Sequence, residues 1–161
     1  MKKKLKRDLA PNKLKKAIKD LTKLSHDYIR NRDAMQTTSW SDGINLGVAI
    51  EGKCFDCGKF SSGRDFQCGH WIPSSVGGAI LRYHPHNMHG QSSGCNCGYQ
   101  QEMVKIRYTQ RMTEVYGKER LASLLGLKNR TIKADIIFYN SLLGLYHAGV
   151  EKDIVDYLES L

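Results

Sequence analysis

All five cysteines of this 161-residue chain fall between Cys54 and Cys97, a window that also holds four of its six histidines and one of its two tryptophans. No other feature limits the fold so closely. Thiols at that density suit either a disulfide framework or metal coordination, and their odd number argues against complete pairing. In a reducing compartment they read as ligands. Cys54 and Cys57, at C-x-x-C spacing, place two thiolates on one ion from a tight turn, and Cys95 and Cys97 supply a second close pair. Zinc in a structural role is the expectation, because a closed sulfur shell leaves no position for water. The C-x-C spacing of the second pair is less usual, so Cys68 or a histidine stands beside Cys97 as a fourth ligand. Buried, unliganded cysteines are the alternative to the whole site.

A composition that is 40% hydrophobic and 25% charged fits one domain with a real core. No apolar run approaches the length of a membrane span, and no apolar segment follows the lysine-rich start, so a cytoplasmic protein is expected. Charge is unevenly placed. Residues 1–32 carry twelve Lys or Arg against Asp8, Asp20 and Asp27, which accounts for the whole net charge of +9. A basic arm on a neutral body suits a nucleic-acid backbone, bound in a salt-sensitive way; a solubilising tail is the alternative.

Lys2–Arg7 reads as disordered, with a helix starting at Pro11-Asn12. Its apolar face is Leu14, Ala17, Ile18, Leu21, Leu24, Tyr28 and Ile29, and its cationic face includes Lys13, Lys15, Lys16, Lys19, Lys23, Arg30 and Arg32. Residues 33–47 read as an irregular connection, with Trp40 either pinning it or packing at the core edge. Val48–Ile50 is a short strand, Gly58–Gly63 a turn-rich knuckle, and Asp65–Ile72 a strand stopped by Pro73. A loop then leads to an extended Leu81–Tyr83. A helix from about Asn96 carries Val104, Tyr108, Met112 and Val115 on one stripe and stops at Gly117. Helices over 119–125, 132–146 and 152–161 carry apolar residues for a core or a subunit interface, which leaves room for a homodimer.

The order His70-Trp71-Ile72-Pro73, a Gly-Gly loop, Asn87, then Cys95-Asn96 at a helix start resembles the site of HNH nucleases. More closely, Lys53-Cys54-Phe55-Asp56-Cys57-Gly58-Lys59, Gln67-Cys68-Gly69-His70-Trp71-Ile72-Pro73, Leu81-Arg82-Tyr83, Asn87-Met88-His89-Gly90-Gln91 and Cys95-Asn96 resemble the phage recombination proteins called NinG or Rap. Tyr28-Ile29-Arg30-Asn31-Arg32-Asp33 and Tyr116-Gly117-Lys118-Glu119-Arg120 extend the likeness over roughly residues 24–125. That resemblance implies an α+β fold, with a zinc-supported ββα-metal (HNH-like) core at 33–117, a basic N-terminal arm and helix at 1–32, and a helical extension at 118–161. It also implies a metal-dependent endonuclease for branched DNA, Holliday junctions included, in the cytoplasm of a bacterium or phage-infected host.

The roles implied are equally specific. His70 is the general base, Asn87 fixes the hairpin loop or orients His70, and Asn96 offers its amide oxygen to Mg²⁺ or another divalent cation. Gly69 stands where many HNH enzymes have a metal-binding Asp or His, which leaves His89 or Asp65 as the second ligand. Ser92 stands where many relatives have a cysteine, which brings in Cys97. Backbone contacts to DNA fall to the cations of the first helix together with Arg64, Arg82 and Arg107. His84 and His86 either touch phosphates or lie on the solvated surface, and Trp71 is a core residue rather than a stacking platform. A non-catalytic zinc-stabilised nucleic-acid-binding or adaptor module is the rival, and an RNA-binding zinc protein a third reading.

Overall fold

The computed structural model describes the backbone of residues 5–41, 46–98 and 102–161, and within it the side chains of 11–35, 50–98 and 102–161. In chain order its elements are α1 (Leu5–Asp33), β1 (Ala34–Ser41), β2 (Leu46–Lys53), β3 (Phe60–Ser62), β4 (Phe66–His70), α2 (Gly78–Arg82), β5 (Met88–Ser92), α3 (Ser93–Cys97), α4 (Glu102–Leu127), α5 (Ile136–Ala148) and α6 (Glu151–Glu159). Strands β1, β2 and β3 form one antiparallel sheet, and β4 and β5 pair antiparallel in a second. No helix among the described residues is long and apolar enough to cross a membrane.

The apolar stripe of α1 is buried as its spacing predicts. Leu21 and Ile29 are fully enclosed, and Leu14, Ile18, Leu24 and Tyr28 pack on a core shared with Ile72, Leu81, Met112, Leu124, Leu142 and Leu158. The basic helix is therefore a wall of the molecule as well as a cationic surface. Arg32 at its end donates to the carbonyls of Pro85 and Met88 and pairs with Asp33 and Glu151, while Asp33 accepts from Gly90 N at 2.7 Å. Two adjacent residues of α1 thus hold the start of β5 and the start of α6.

Between β4 and β5 runs a long connection that would splay without an internal clamp. Asn87, fully buried, supplies it: its Oδ1 accepts from Ile72 N, and its Nδ2 donates to the carbonyls of Ile72 and Leu81. One amide closes both ends of the loop. Helix α3 follows β5 directly, capped by the Ser92 hydroxyl, which accepts from Cys95 N.

Several expectations change. Helix α1 already includes Leu5–Arg7 and passes through Pro11, whose ring costs a hydrogen bond without ending the helix; Lys2–Lys4 lie outside the described residues. Residues 34–41 are strand β1, where Thr-rich polar sequence without alternation hid the pairing. The side chain of Trp40 lies outside the described residues. Leu81-Arg82-Tyr83 closes a short helix rather than a strand. Val115 is exposed, and α4 changes direction at Gly117, whose φ of 80° admits few other residues. Helix α5 begins at Ile136 because Asp135 accepts from the amides of Ile137 and Phe138. His84 is neither on the surface nor free for phosphate: it is fully buried against Glu159 at 3.1 Å.

Asn87→Ala is expected to cost about 2 kcal/mol in urea denaturation, since it leaves the amide and the carbonyl of Ile72 unpaired at about 1 kcal/mol each, while Leu81 O keeps its bond from His84 N. Burial pushes both His70 and His84 down to about 4, and His89 well below its ordinary value. Each folded pKa lies below that of the unfolded chain, so the unfolded state binds more protons. Stability is therefore full above pH 6.5 and falls as pH drops toward 4. Urea midpoints across that range should show the loss, and His89→Phe should lessen it, with His70 and His84 still contributing.

Candidate functional site

The knuckle after β2 is closed by Cys54 N donating to Lys59 O and Gly58 N donating to Cys54 O, both at 2.8 Å, with Gly58 at a φ of 71°. That turn brings Cys54 and Cys57 onto one side. A further bond from Phe55 N to Gly90 O lays the knuckle on β5 and beside α3, which delivers Cys95. The ligand atoms of Cys54, Cys57 and Cys95 lie within 4.8 Å of one another. Burial raises the Cys54 thiol, but the amides of Cys57 and Ser92 and the Ser92 hydroxyl outweigh it and leave it below its ordinary value; burial pushes Cys95 up to about 12.

Three soft sulfur donors at this separation can hold a metal such as zinc. Beside them the Asp56 side chain is wholly enclosed: Oδ1 accepts from Arg107 Nε at 2.9 Å, while Oδ2 has no partner among the described residues. A buried carboxylate oxygen without a donor fits a nearby cation. Cys68 is separate, packed in the core. Cys97 is exposed and lines a pocket with His70, Pro73, Ser74, Ser75 and Asn96 rather than joining the three sulfurs. Cys54→Ser is expected to abolish stoichiometric zinc measured by elemental analysis, and Cys97→Ser to leave it.

His70 ends β4, where its Nε2 lies 3.0 Å from Arg82 O. A carbonyl only accepts, so Nε2 carries the proton and Nδ1 keeps its lone pair. Burial is the main reason that the ring's pKa falls to about 4; the bond to the Arg82 carbonyl opposes it, the charges of His26 and Arg82 add to it, and the neutral form holds at physiological pH. Asn96, in α3, lines the same pocket and donates from Nδ2 to Gln67 Oε1 at 2.8 Å.

The other residues singled out by sequence are placed unequally. Both ring nitrogens of His89 meet tyrosine hydroxyls, Tyr108 at 3.1 Å and Tyr116 at 2.9 Å, and the ring stacks on Phe55. It is enclosed, with no nitrogen left for an ion. Asp65 accepts from the Ser93 hydroxyl beside the sulfur cluster. Lys13, Lys16, Lys19 and Lys23 are exposed on α1, Lys16 and Lys23 being paired with Asp20 and Asp27. Arg30 donates to the carbonyls of Phe66 and Gly63, Arg32 serves the frame, Arg82 lies over the Tyr83 ring, and Arg107 holds Asp56. Trp71 donates to Thr109 and lines an apolar cavity beside His70.

The sequence motifs do not single out His26, Gln67 or Gln91 as site residues. The His26 ring stands 5.8 Å from that of His70, edge to face. With Lys23, Arg30, Arg64, Gln67 and Asn96 it lines an open cleft of about 740 Å³. The signal was present: Lys23, His26 and Arg30 recur at spacings of three and four, one face of a helix.

No curated protein and no solved structure matches the chain. The family model for the bacteriophage lambda NinG protein matches residues 1–151, and the chain belongs to that family.

Proposed function

We propose that this chain is a metal-dependent, structure-selective endonuclease that hydrolyses DNA phosphodiesters in branched recombination intermediates such as Holliday junctions. Family membership implicates the chain in phage recombination. The observation that carries the chemistry is His70, its Nε2 held at 3.0 Å from Arg82 O, which leaves Nδ1 as the acceptor of a ring that lines the same pocket as Asn96. Strand β4, the long loop, β5 and α3 are the frame of a ββα-metal site, and Asn87 fixes the loop of that frame.

In this reading His70 Nδ1 takes a proton from water as it attacks phosphorus. Asn96 would hold Mg²⁺ or a related divalent ion by its amide oxygen. Such an ion, when bound, supplies positive charge for the phosphorane and the leaving oxygen. Lys23, Arg30 and Arg64 line the adjoining cleft and bind the phosphates on either side, while Lys13 and Lys19 extend the cationic track along α1. The sulfur centre, loaded with zinc, holds α3 against the knuckle. Junction preference comes from the family resemblance, and symmetric cutting would suit a homodimer.

A second reading, a zinc-stabilised nucleic-acid-binding or adaptor module, is favoured by one fact: Gly69 brings no metal-binding side chain next to His70. Incubating a synthetic four-way junction with Mg²⁺ separates the two. His70→Ala should slow cutting 10²- to 10⁴-fold and Asn96→Ala comparably; binding without any cutting by the wild type would favour the adaptor. Because only neutral His70 is a base, the cleavage rate should rise with pH through about 4 and not through 6.5. Each of Lys13→Gln and Lys19→Gln should reduce the slope of log affinity against log salt by about 0.9 if its ammonium meets a phosphate. Point substitution is preferable to truncation here, because deleting 1–23 also removes Ala17 and Leu21 from the core.

A further inference from the structure

We propose that Gln91 is a ligand for a hard divalent cation together with Asn96, so that β5 supplies the oxygen that position 69 of β4 lacks. The inference rests on the nuclease reading for what the ion does, and on geometry alone for where it binds. In the β4–β5 register Gln67 faces Gln91 and Gly69 faces His89, so these four residues share one side of the pair. Gln91 is 2% exposed.

Gly69 has an ordinary φ, so space rather than conformation demands glycine there. A Cβ on it would fall 1.6 Å from Gln91 Oε1 and 3.0 Å from Asn96 Oδ1. Both amide oxygens thus converge on the volume over the bare Cα. Asn96 gives its Nδ2 to Gln67, which turns Oδ1 away from that partner and toward Gln91. Two acceptors facing each other call for a cation or a donor between them.

Oxygen ligands suit Mg²⁺, Mn²⁺ or Ca²⁺ rather than zinc. Since both ligands are neutral, the pair holds the ion weakly by itself, and the other coordination positions go to water and to phosphate oxygens. Cation and nucleic acid then bind cooperatively, each raising the affinity of the other. His70, on the other side of the strand end, is left free to act on water. The competing arrangement reverses the Gln91 amide, so that Nε2 donates to Asn96 Oδ1 and no ion is needed.

The test measures Mn²⁺ binding by the loss of its free-ion spin-resonance signal. It uses zinc-loaded full-length protein in a His70→Ala background, with and without a four-way junction. Mn²⁺ should bind about tenfold or more tightly with DNA than without it. Gln91→Leu should remove most of that gain, and Gln91→Glu, of nearly the same shape, should bind Mn²⁺ about tenfold or more tightly even without DNA. Affinities that ignore both substitutions overturn the proposal in favour of the reversed amide. If Gln91→Leu fails to retain zinc and fold, the Gln91→Glu shift decides alone. Mn²⁺ binding that follows position 91, with no cutting by the wild type, upholds the ion site and removes the nuclease reading. Cutting that is indifferent to position 91 does the reverse.

Discussion

The structure depends most on the guanidinium of Arg32, which is mostly buried. Burial alone would disfavour its charge, but Asp33, Glu151 and two backbone carbonyls surround it, and the balance leaves it more firmly protonated than in water. Its partners belong to α1, to the loop before β5, to β5 itself and to α6. A group with that many obligations is costly to remove, because the carboxylates of Asp33 and Glu151 would stay behind without their cation. Around it, His86 pairs with Glu151, Arg120 with Glu159, and Glu159 with His84, extending one polar network along the seam between loop and α6. The C-terminal helices are thereby attached to the loop that joins β4 to β5 beside the candidate site.

The sulfur cluster and the pocket of the proposed catalytic site lie one peptide bond apart. Cys95 belongs to the sulfur cluster and Asn96 to the oxygen-rich pocket with His70. A soft ion on the sulfurs would fix α3, a helix of only five residues with little stability of its own. Asn96 is positioned by whatever fixes α3, so occupancy of the first centre bears directly on the geometry of the second.

Much of this was legible in the chain. The apolar stripe of α1, the C-x-x-C turn, the strand into His70 and the placing of Asn87 as the loop's fastener all follow from local spacing or from the motif order. What stayed hidden depends on partners distant in sequence. Strand β1 owes its conformation to pairing with β2, not to its own alternation. His89 looked available because nothing near it in sequence announces Tyr108 and Tyr116, which arrive from α4 on either side of its ring. Arg32 resembles surface charge in the sequence because its carbonyl partners lie more than fifty residues away. His26 sits on a helix face whose sequence signal is dominated by lysines.

Gly69 and Gln91 also bear on how such a chain can vary. The carboxamide of Gln91 fills the volume that a side chain at 69 would need, and the two residues sit on neighbouring strands whose register allows no slip without turning every side chain over. A larger residue at 69 is compatible with this backbone only if position 91 shortens or its side chain is rerouted. The two positions are therefore coupled through the volume they share, and relatives that place a side chain on β4 here are expected to give up the glutamine on β5.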